Sequence, residues 1–387
     1  MKDSTKGIRI QSTRTSHREH SAPIYMTSSF VYHNAEHAET MFKGEGEGDI
    51  YSRFSNPNTT ELIDKLCAME HGDAGVVTAS GMAAIFNTMA AHLKSGDHIV
   101  AGNSLFGNST YILNNILPEW GIKTTLLDSS SVDLWEAAIA TSPKMVFIET
   151  PTNPGLELID ITWLAALCQK HGSLLVVDNC FATPILQKPL DLGADISIHS
   201  ATKWIDGQGR SLGGAVIGKS DAIEPIFNFL RRTGASMSPF NAWLLSKSLE
   251  TLEIRMERHC QSALVLAEYL HGHQQIATVR YPHLAGHPQY DLAKSQMTMG
   301  GGIVTCDLVG DKSTCFNMIN KVKMLSITAN LGDSRTIITH PATTTHSKLN
   351  PYERKKAGIT DTSIRISVGL EHIDDIISDI AQALNPA

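Results

Sequence analysis

A lysine and an aspartate in the middle of the chain stand where short apolar segments end. Asp178 closes the segment 174–177, and Lys203 follows the segment 196–199. A lysine at the end of a buried strand is unusual, because its charge must stay solvated or its pKa must shift. A desolvated lysine beside a cation can act as a nucleophile and form a Schiff base. Each residue alone also fits a structural role, since the aspartate could cap the next turn and the lysine could extend to solvent.

A third segment has the pattern of an anion site. Ser80, Gly81 and Met82 follow the apolar segment 76–79, and alanines that favour a helix come next. The free N–H groups at a helix start bind anions such as phosphate, and a glycine there lets the backbone approach closely. An ordinary tight turn between a strand and a helix has the same appearance.

These three segments together match the requirements of pyridoxal phosphate (PLP). The aldehyde of PLP needs a lysine, its ring nitrogen needs an acid, and its phosphate needs several donors. Lys203, Asp178 and the turn at Gly81 supply these groups, with Ser200 and Thr202 beside the lysine. The combination is much more specific than any one part, and it predicts a PLP site.

Seven short apolar segments alternate with stretches of helical periodicity. The segments are 76–79, 99–101, 124–127, 145–148, 174–177, 196–199 and 215–217. Their alternation with helices predicts βαβ units and a mainly parallel sheet. Several are apolar throughout, as expected for strands covered on both faces. Asn58, with Glu61 three residues later, predicts the start of the first of these helices.

The two ends of the chain differ from this middle part. Residues 1–50 are expected to be irregular, with a loop at the glycine-rich stretch 44–48. One long helix is predicted by the spacing of the apolar residues Leu245, Leu249, Leu252 and Met256. Strand-like segments at 303–308 and 364–368 and a closing helix then indicate a smaller α+β domain. We therefore expect an N-terminal arm over 1–57, a large PLP-binding domain over 58–244 and a small C-terminal domain over 245–387.

The composition agrees with a globular enzyme. Hydrophobic residues make up 42% of the 387 residues and charged residues 18%, which is too apolar for a disordered chain. The net charge of −7 argues against a nucleic-acid partner. The six cysteines form no CxxC pair, which predicts reduced thiols and no metal site. With no apolar run of about 18 residues and a polar N-terminus, we expect a cytoplasmic protein with no membrane partner.

Several short motifs spread along the chain are similar to those of a known family. They are Tyr51-Ser52-Arg53, Ser80-Gly81-Met82, residues 149–154, Val177-Asp178-Asn179, and residues 200–203, 330–333, 340–342 and 364–369. By these motifs the chain resembles the Cys/Met-metabolism PLP enzymes, which include cystathionine synthases and lyases, methionine γ-lyases and O-acylhomoserine sulfhydrylases. The resemblance implies an α/β fold of the aspartate-aminotransferase type (PLP fold type I). Such a fold has a mostly parallel seven-stranded sheet and a smaller C-terminal α+β domain.

The resemblance also implies roles around the cofactor. Lys203 would bind PLP as a Schiff base and move protons, and Asp178 would pair with the ring nitrogen. The other implied cofactor-binding residues of the same chain are Ser80, Gly81, Met82, Phe106, Asn153, Ser200 and Thr202. Tyr51 and Arg53 would reach the phosphate bound in a neighbouring subunit, for which the guanidinium fork is well suited. We therefore expect a homo-oligomer, a dimer with shared active sites that assembles into a homotetramer.

Substrate-binding residues are implied in the C-terminal part. Arg365 would bind the α-carboxylate of an amino-acid substrate, with Asn153 and Asn330 beside it. The local pattern agrees independently, because Ile364 and Ile366 alternate with Arg365 and place the arginine on the opposite face of a strand.

Three positions depart from the pattern of many family members. Phe106 stands where a tyrosine usually stacks on the cofactor, and phenylalanine cannot exchange a proton. Asn108 replaces the cysteine of methionine γ-lyases, and Ala329-Asn330 replaces a Glu-Ser pair. The O-succinylhomoserine sulfhydrylases are the subgroup that this chain resembles most, by Phe106, Asn330 and residues 205–210, 238–243 and 336–346. We therefore expect γ-replacement on O-succinyl- or O-acetylhomoserine with sulfide, giving homocysteine.

Other activities stay open on the sequence alone. Within the family they are β-elimination of cystathionine and the reactions of cystathionine γ-synthases and γ-lyases, which use the same machinery. A nicotinamide dehydrogenase would explain the alternation of strands and helices but leaves Lys203 and Asp178 without a role. A catalytically inactive binding module has no support, since only Phe106 is a doubtful residue in the site.

Overall fold

Seven strands form the larger of two sheets in the computed structural model, which describes residues 1–349, 354 and 357–385. The strands are β1 (Ala74–Thr78), β2 (His98–Gly102), β3 (Lys123–Leu127), β4 (Met145–Glu149), β5 (Leu174–Asp178), β6 (Ile196–His199) and β7 (Gly214–Gly218). Their order is β1-β7-β6-β5-β4-β2-β3. In this sheet β7 runs antiparallel to the other six strands, which are parallel to one another. The predicted mostly parallel sheet of seven strands is confirmed.

Helices surround both sheets. They are α1 (Asp3–Arg9), α2 (Ala35–Lys43), α3 (Pro57–Glu70), α4 (Gly81–His92), α5 (Gly107–Tyr111), α6 (Leu117–Glu119), α7 (Val132–Ile139), α8 (Ile161–His171), α9 (Thr183–Leu186), α10 (Ser220–Thr233), α11 (Pro239–Leu249), α12 (Leu252–His271), α13 (Tyr290–Gln296), α14 (Lys312–Lys321) and α15 (Ile373–Leu384). A π-helical turn, Ile112–Ile116, joins α5 to α6.

The large sheet is covered on both faces, which explains why its strands are apolar throughout. Successive residues of a strand point to opposite faces. On β4, Phe147 packs in a core with Ile85 of α4, whereas Val146 packs in a second core with Trp135 of α7 and Leu164 of α8. All five residues of β4 are buried. This double cover fixes the ends of the central strands, where the polar residues of interest stand.

The N-terminal region is more regular than the sequence indicated. The expectation of an irregular segment over residues 1–50 is wrong at α1 and α2. The start of α3 also differs, because Asn56 rather than Asn58 caps it: Asn56 Oδ1 accepts from the amide of Asn58. Asn58 instead accepts a hydrogen bond from the amide of Tyr25, and so ties the arm to the helix.

The C-terminal part contains a five-stranded sheet with the order β10-β11-β12-β9-β8. Its strands are β8 (Ile276–Arg280), β9 (Ile303–Leu308), β10 (Ser326–Ile327), β11 (Ile337–Thr339) and β12 (Ser363–Ser367). A 3-10 turn, Pro341–Thr343, follows β11. A core formed with α12, α14 and α15 covers one face of this sheet. The predicted strands and closing helix are present.

The single long helix predicted from residue 245 is two helices. The chain leaves α11 after Leu249 and enters α12 at Leu252. The buried guanidinium of Arg255 donates to the carbonyls of Ser248 and Trp204, which holds this break against the turn that follows β6. The apolar spacing runs through the break and does not reveal it. Within the described residues, no helix has the length and apolar character needed to span a membrane.

Candidate active site

One cavity of about 270 Å³ lies at the carboxyl ends of the central strands of the large sheet. It brings together most of the residues singled out from the sequence. Those that line it are Ser80, Gly81, Met82, Phe106, Asn153, Asp178, Ser200, Thr202, Lys203 and Arg365. In open α/β sheets this edge is where ligands bind.

Lys203 lies on the turn that follows β6, and its amine reaches the cavity. Its Nζ donates a hydrogen bond to Oδ1 of Asn330, 2.7 Å away. Burial lowers the pKa of the Lys203 amine, and the positive charge of Arg365 lowers it further. A larger share of this lysine is therefore a neutral amine, the form that attacks an aldehyde.

Asp178 is the last residue of β5, and only 7% of it is exposed. Its carboxylate accepts a hydrogen bond of 3.0 Å from the amide of Cys180. It forms no ion pair with any side chain that the structure describes. Burial raises the pKa of Asp178 to about 6. A cationic ring nitrogen placed here would stabilise the ionised form.

The turn between β1 and α4 forms a cradle for an anion. Ser80 caps α4, because its Oγ accepts from the amide of Ala83 at 3.2 Å. A Cβ on Gly81 would lie 2.6 Å from Cβ of Ser200, so only glycine allows the two segments to approach this closely. Thr202, on the facing turn, accepts from the amide of Gly213.

Arg365 on β12 is 1% exposed, and its guanidinium is almost fully engaged. Nη1 donates to Oδ1 of Asn153 at 3.0 Å, and Nη2 donates to the carbonyls of Ala329 and Asn330. Its Nε is buried and has no partner among the described residues. A buried donor without an acceptor is costly, and a carboxylate would remove that cost.

Tyr51 and Arg53 do not line this cavity. Arg53 lines a second cavity of about 220 Å³. Its guanidinium lies over the rings of Tyr51 and Phe54 and donates to the carbonyl of Arg231. Tyr51 is 40% exposed. Both residues are thus on a surface of the chain away from Lys203.

Two further cavity residues were given no role from the sequence. Glu149 is the last residue of β4 and is 5% exposed. Burial and the neighbouring charge of Asp178 raise its pKa well above the usual range. Cys180 follows Asp178 by two residues, and burial raises the pKa of its thiol. The signal for Glu149 was available, because it closes an apolar segment just as Asp178 does.

The unused groups of the cavity fit PLP. They are the amine of Lys203, whose pKa is lowered, the buried carboxyl of Asp178, which forms no ion pair with the described residues, and the turn at Gly81, where only glycine fits. PLP needs a lysine for its aldehyde, an acid for its ring nitrogen and donors for its phosphate. The unpartnered donor of Arg365 additionally fits the carboxylate of an amino acid.

Comparisons with known proteins agree with this geometry. A family model described as Cys/Met metabolism PLP-dependent enzyme matches residues 4–385. An O-succinylhomoserine sulfhydrylase of Pseudomonas aeruginosa is 44% identical over 98% of this chain and 94% of its own length. An L-methionine gamma-lyase of Porphyromonas gingivalis is 41% identical over 94% of this chain and 92% of its own.

A solved structure is similar over the whole fold. It is a candidate O-acetylhomoserine (thiol)-lyase of Campylobacter jejuni, solved with N′-pyridoxyl-lysine-5′-monophosphate in its chain. The two chains superpose with a TM-score of 0.95 at 33% identity, covering 99% of this chain and 100% of the other. The expected aspartate-aminotransferase-like fold is confirmed.

Proposed function

We propose a specific reaction for this chain from the premise that it belongs to the Cys/Met metabolism family of PLP-dependent enzymes. The reaction is γ-replacement on O-succinylhomoserine: sulfide replaces the succinyl ester and gives homocysteine and succinate. The observation that carries the proposal is the similarity, over nearly the full length, to O-succinylhomoserine sulfhydrylases of two organisms.

The residues of the cavity support an amino-acid substrate. Arg365 would bind the α-carboxylate through its free Nε, while Asn153 and the carbonyls of residues 329 and 330 hold the guanidinium in place. PLP, when bound to Lys203, supplies an electron sink for negative charge that develops on the substrate carbons. Asp178 would keep the ring nitrogen protonated and so strengthen that sink.

Proton transfers would fall to Lys203. Phe106 lines the cavity but has no proton to exchange. The lowered pKa of Lys203 suits an amine that takes a proton from the substrate Cα and returns it later. A proton also leaves Cβ, the bond from Cγ to the ester oxygen breaks, and succinate departs. Sulfide then forms a bond to Cγ, and protons return to Cβ and Cα.

The amide of Asn330 would hold the lysine between these transfers. Its Oδ1 accepts from Nζ of Lys203, and its carbonyl accepts from Arg365. An amide oxygen accepts a hydrogen bond but does not itself relay a proton. Asn330 would therefore orient the amine relative to the bound carboxylate and leave the proton on Lys203.

Each active site would need two chains. Tyr51 forms a β-bridge with Ser29, and the segment around Ser29 carries the exposed apolar side chains of Met26 (69%) and Val31 (98%). Exposed large apolar side chains grouped in one segment are typical of a subunit interface. In a homo-oligomer the guanidinium of Arg53 would supply the phosphate of a neighbouring site with a bidentate donor.

The test is the product profile of the purified holoenzyme. We expect O-succinylhomoserine plus sulfide to give homocysteine and succinate faster than O-acetylhomoserine does. Cystathionine and L-methionine, supplied separately without sulfide, serve as probes for elimination. Release of pyruvate and ammonia from cystathionine, or of methanethiol from methionine, with no homocysteine from either ester would overturn the proposal.

A further inference from the structure

Glu149 joins three segments of the active site through one carboxylate. It ends β4, where it stands opposite Asp178 of β5 in the sheet register. Its Oε2 accepts a hydrogen bond of 2.8 Å from the amide of Phe106, and its Oε1 accepts one of 3.1 Å from the amide of Asn153. The two amides belong to different loops, which follow the neighbouring parallel strands β2 and β4.

The two amides belong to residues that line the cavity. Phe106 precedes α5 and lines the cavity. Asn153 is 5% exposed, and its side-chain oxygen accepts from Nη1 of Arg365. A path of hydrogen bonds therefore runs from Glu149 through Asn153 to the guanidinium whose Nε has no partner.

We propose that Glu149 is a positioning residue, which fixes Asn153, and through it Arg365, in the geometry that binds the substrate carboxylate. The inference rests on the carboxylate-binding role proposed above for Arg365. Both oxygens of a glutamate side chain can accept a hydrogen bond, since the hydroxyl oxygen of the protonated form keeps acceptor capacity, whereas glutamine has one acceptor oxygen. Fixing a binding group beforehand avoids the entropic cost of ordering it when the ligand binds.

The substitution Glu149→Gln isolates this function because it keeps the shape of the side chain. The amide group has one acceptor oxygen, and its NH₂ group would face an N–H donor. One of the two buried amides, of Phe106 or of Asn153, then loses its acceptor. An unsatisfied buried N–H group destabilises the binding geometry of the site, which corresponds to ligand binding that is weaker by about 5- to 150-fold.

The readout is binding rather than turnover. Glycine has a carboxylate but no γ-substituent, and its binding is followed through the visible absorbance of the PLP-loaded enzyme. We expect Glu149→Gln to bind glycine about 10- to 100-fold more weakly. PLP affinity, measured by tryptophan fluorescence of the apoenzyme, should change much less, since Lys203 and the cradle at Gly81 stay intact.

A matched control and a double-mutant cycle locate the effect. Glu157 belongs to the same loop region, but its carboxylate accepts from Oγ of Ser129 at 2.7 Å, and glutamine keeps that acceptor. Glu157→Gln should leave glycine binding unchanged. In an Asn153→Ala background, Glu149→Gln should cause no further loss, because the path is already broken.

Three outcomes would overturn the inference. They are unchanged glycine binding in Glu149→Gln, equal losses in Glu149→Gln and Glu157→Gln, and a full additional loss in the Asn153→Ala background. If Glu149→Gln does not fold, Glu149→Asp enters the same cycle, since it keeps both acceptor oxygens on a shorter side chain. Failure to form homocysteine would contradict the proposed reaction but would leave these binding results standing.

Discussion

Two buried aspartates of this chain are almost equally shielded from solvent, but their pKa values are shifted in opposite directions. Asp178 in the large sheet is 7% exposed, and Asp307 in the small sheet is 8% exposed. Burial raises the pKa of Asp178 to about 6. The pKa of Asp307 is lowered although burial raises it, because hydrogen bonds and the charge of Arg280 outweigh the burial. Burial alone therefore does not decide the protonation state of either carboxyl group.

The difference lies in the partners. Asp307 accepts two hydrogen bonds from the guanidinium of Arg280, at 2.7 and 2.8 Å, and further ones from the hydroxyls of Thr278, Thr360 and Ser363. Among the described residues, Asp178 accepts one hydrogen bond, from the backbone amide of Cys180. A carboxylate paired within the chain stabilises the fold, whereas one left unpaired is available to a ligand. Sites kept for ligands are commonly less stable than the rest of a protein.

The largest expected effect comes from the amine of the ligand site. Lys203→Ala should remove the covalent bond to PLP and reduce turnover by at least about 10³-fold, because both the attachment point and the proton carrier are lost. Mass spectrometry after borohydride reduction should find the cofactor on Lys203 in the wild type and on no residue of the variant.

A second buried lysine serves as the control. Lys65 is fully buried but is paired with Glu61 and Glu250. Lys65→Met should therefore lower stability while the reduced holoenzyme still carries PLP on Lys203. Cofactor found on any lysine other than Lys203 would contradict the assignment of the site.

The second prediction concerns the paired aspartate. Asp307→Asn removes the charge that faces Arg280 and should lower the free energy of unfolding of the apoenzyme by about 3 kcal/mol at pH 7. The folded pKa of Asp307 is lowered, so its contribution is present above the ordinary pKa of an aspartate. That contribution is lost as the pH falls through the folded pKa. The loss should therefore shrink at low pH in urea-unfolding measurements.

The Asp307→Asn variant also tests whether the carboxylate of the small sheet affects the cavity of the large sheet. Asp307 lies on the small sheet and does not line the cavity. Turnover of Asp307→Asn loaded with PLP should match that of the wild type wherever the variant is folded. A large loss of turnover without a loss of stability would contradict the view that Asp307 stabilises the fold while Asp178 is kept for the ligand.

The residues that share the cavity are easier to predict from the sequence than the segments that support them. Asp178 and Lys203 were recognisable because a charge at the end of an apolar segment is a local signal. The helix break after Leu249 was not, since the apolar spacing continues through it and the bond that holds it joins Arg255 to the carbonyl of Trp204, 51 residues away in the chain. The bonds of Glu149 to the amides of two loops depend in the same way on tertiary structure.

The smallest expected effect is a gain in stability from removing the unpaired aspartate. The folded pKa of Asp178 is about 6, which is above the value of about 3.9 for an unfolded chain. Its favourable contribution is therefore complete below about pH 4 and is lost as the pH rises through the folded pKa. At pH 7.5 the apoenzyme of Asp178→Asn should be about 1–2 kcal/mol more stable than the wild type.

The pH and the cofactor both sharpen this last prediction. At about pH 3.5 the two apoenzymes should differ little, because the wild-type carboxyl is then largely protonated in both the folded and the unfolded chain. Adding PLP at pH 7.5 should reverse the order, since the wild type gains a ring-nitrogen partner that the amide cannot replace, and ligand binding adds to stability in proportion to affinity. Thermal unfolding of the apo and PLP-loaded forms at both pH values measures all four differences. If Asp178→Asn destabilises the apoenzyme as much as Asp307→Asn does, then Asp178 stabilises the fold in the same way as Asp307, and the cavity is not built around an unpaired acid.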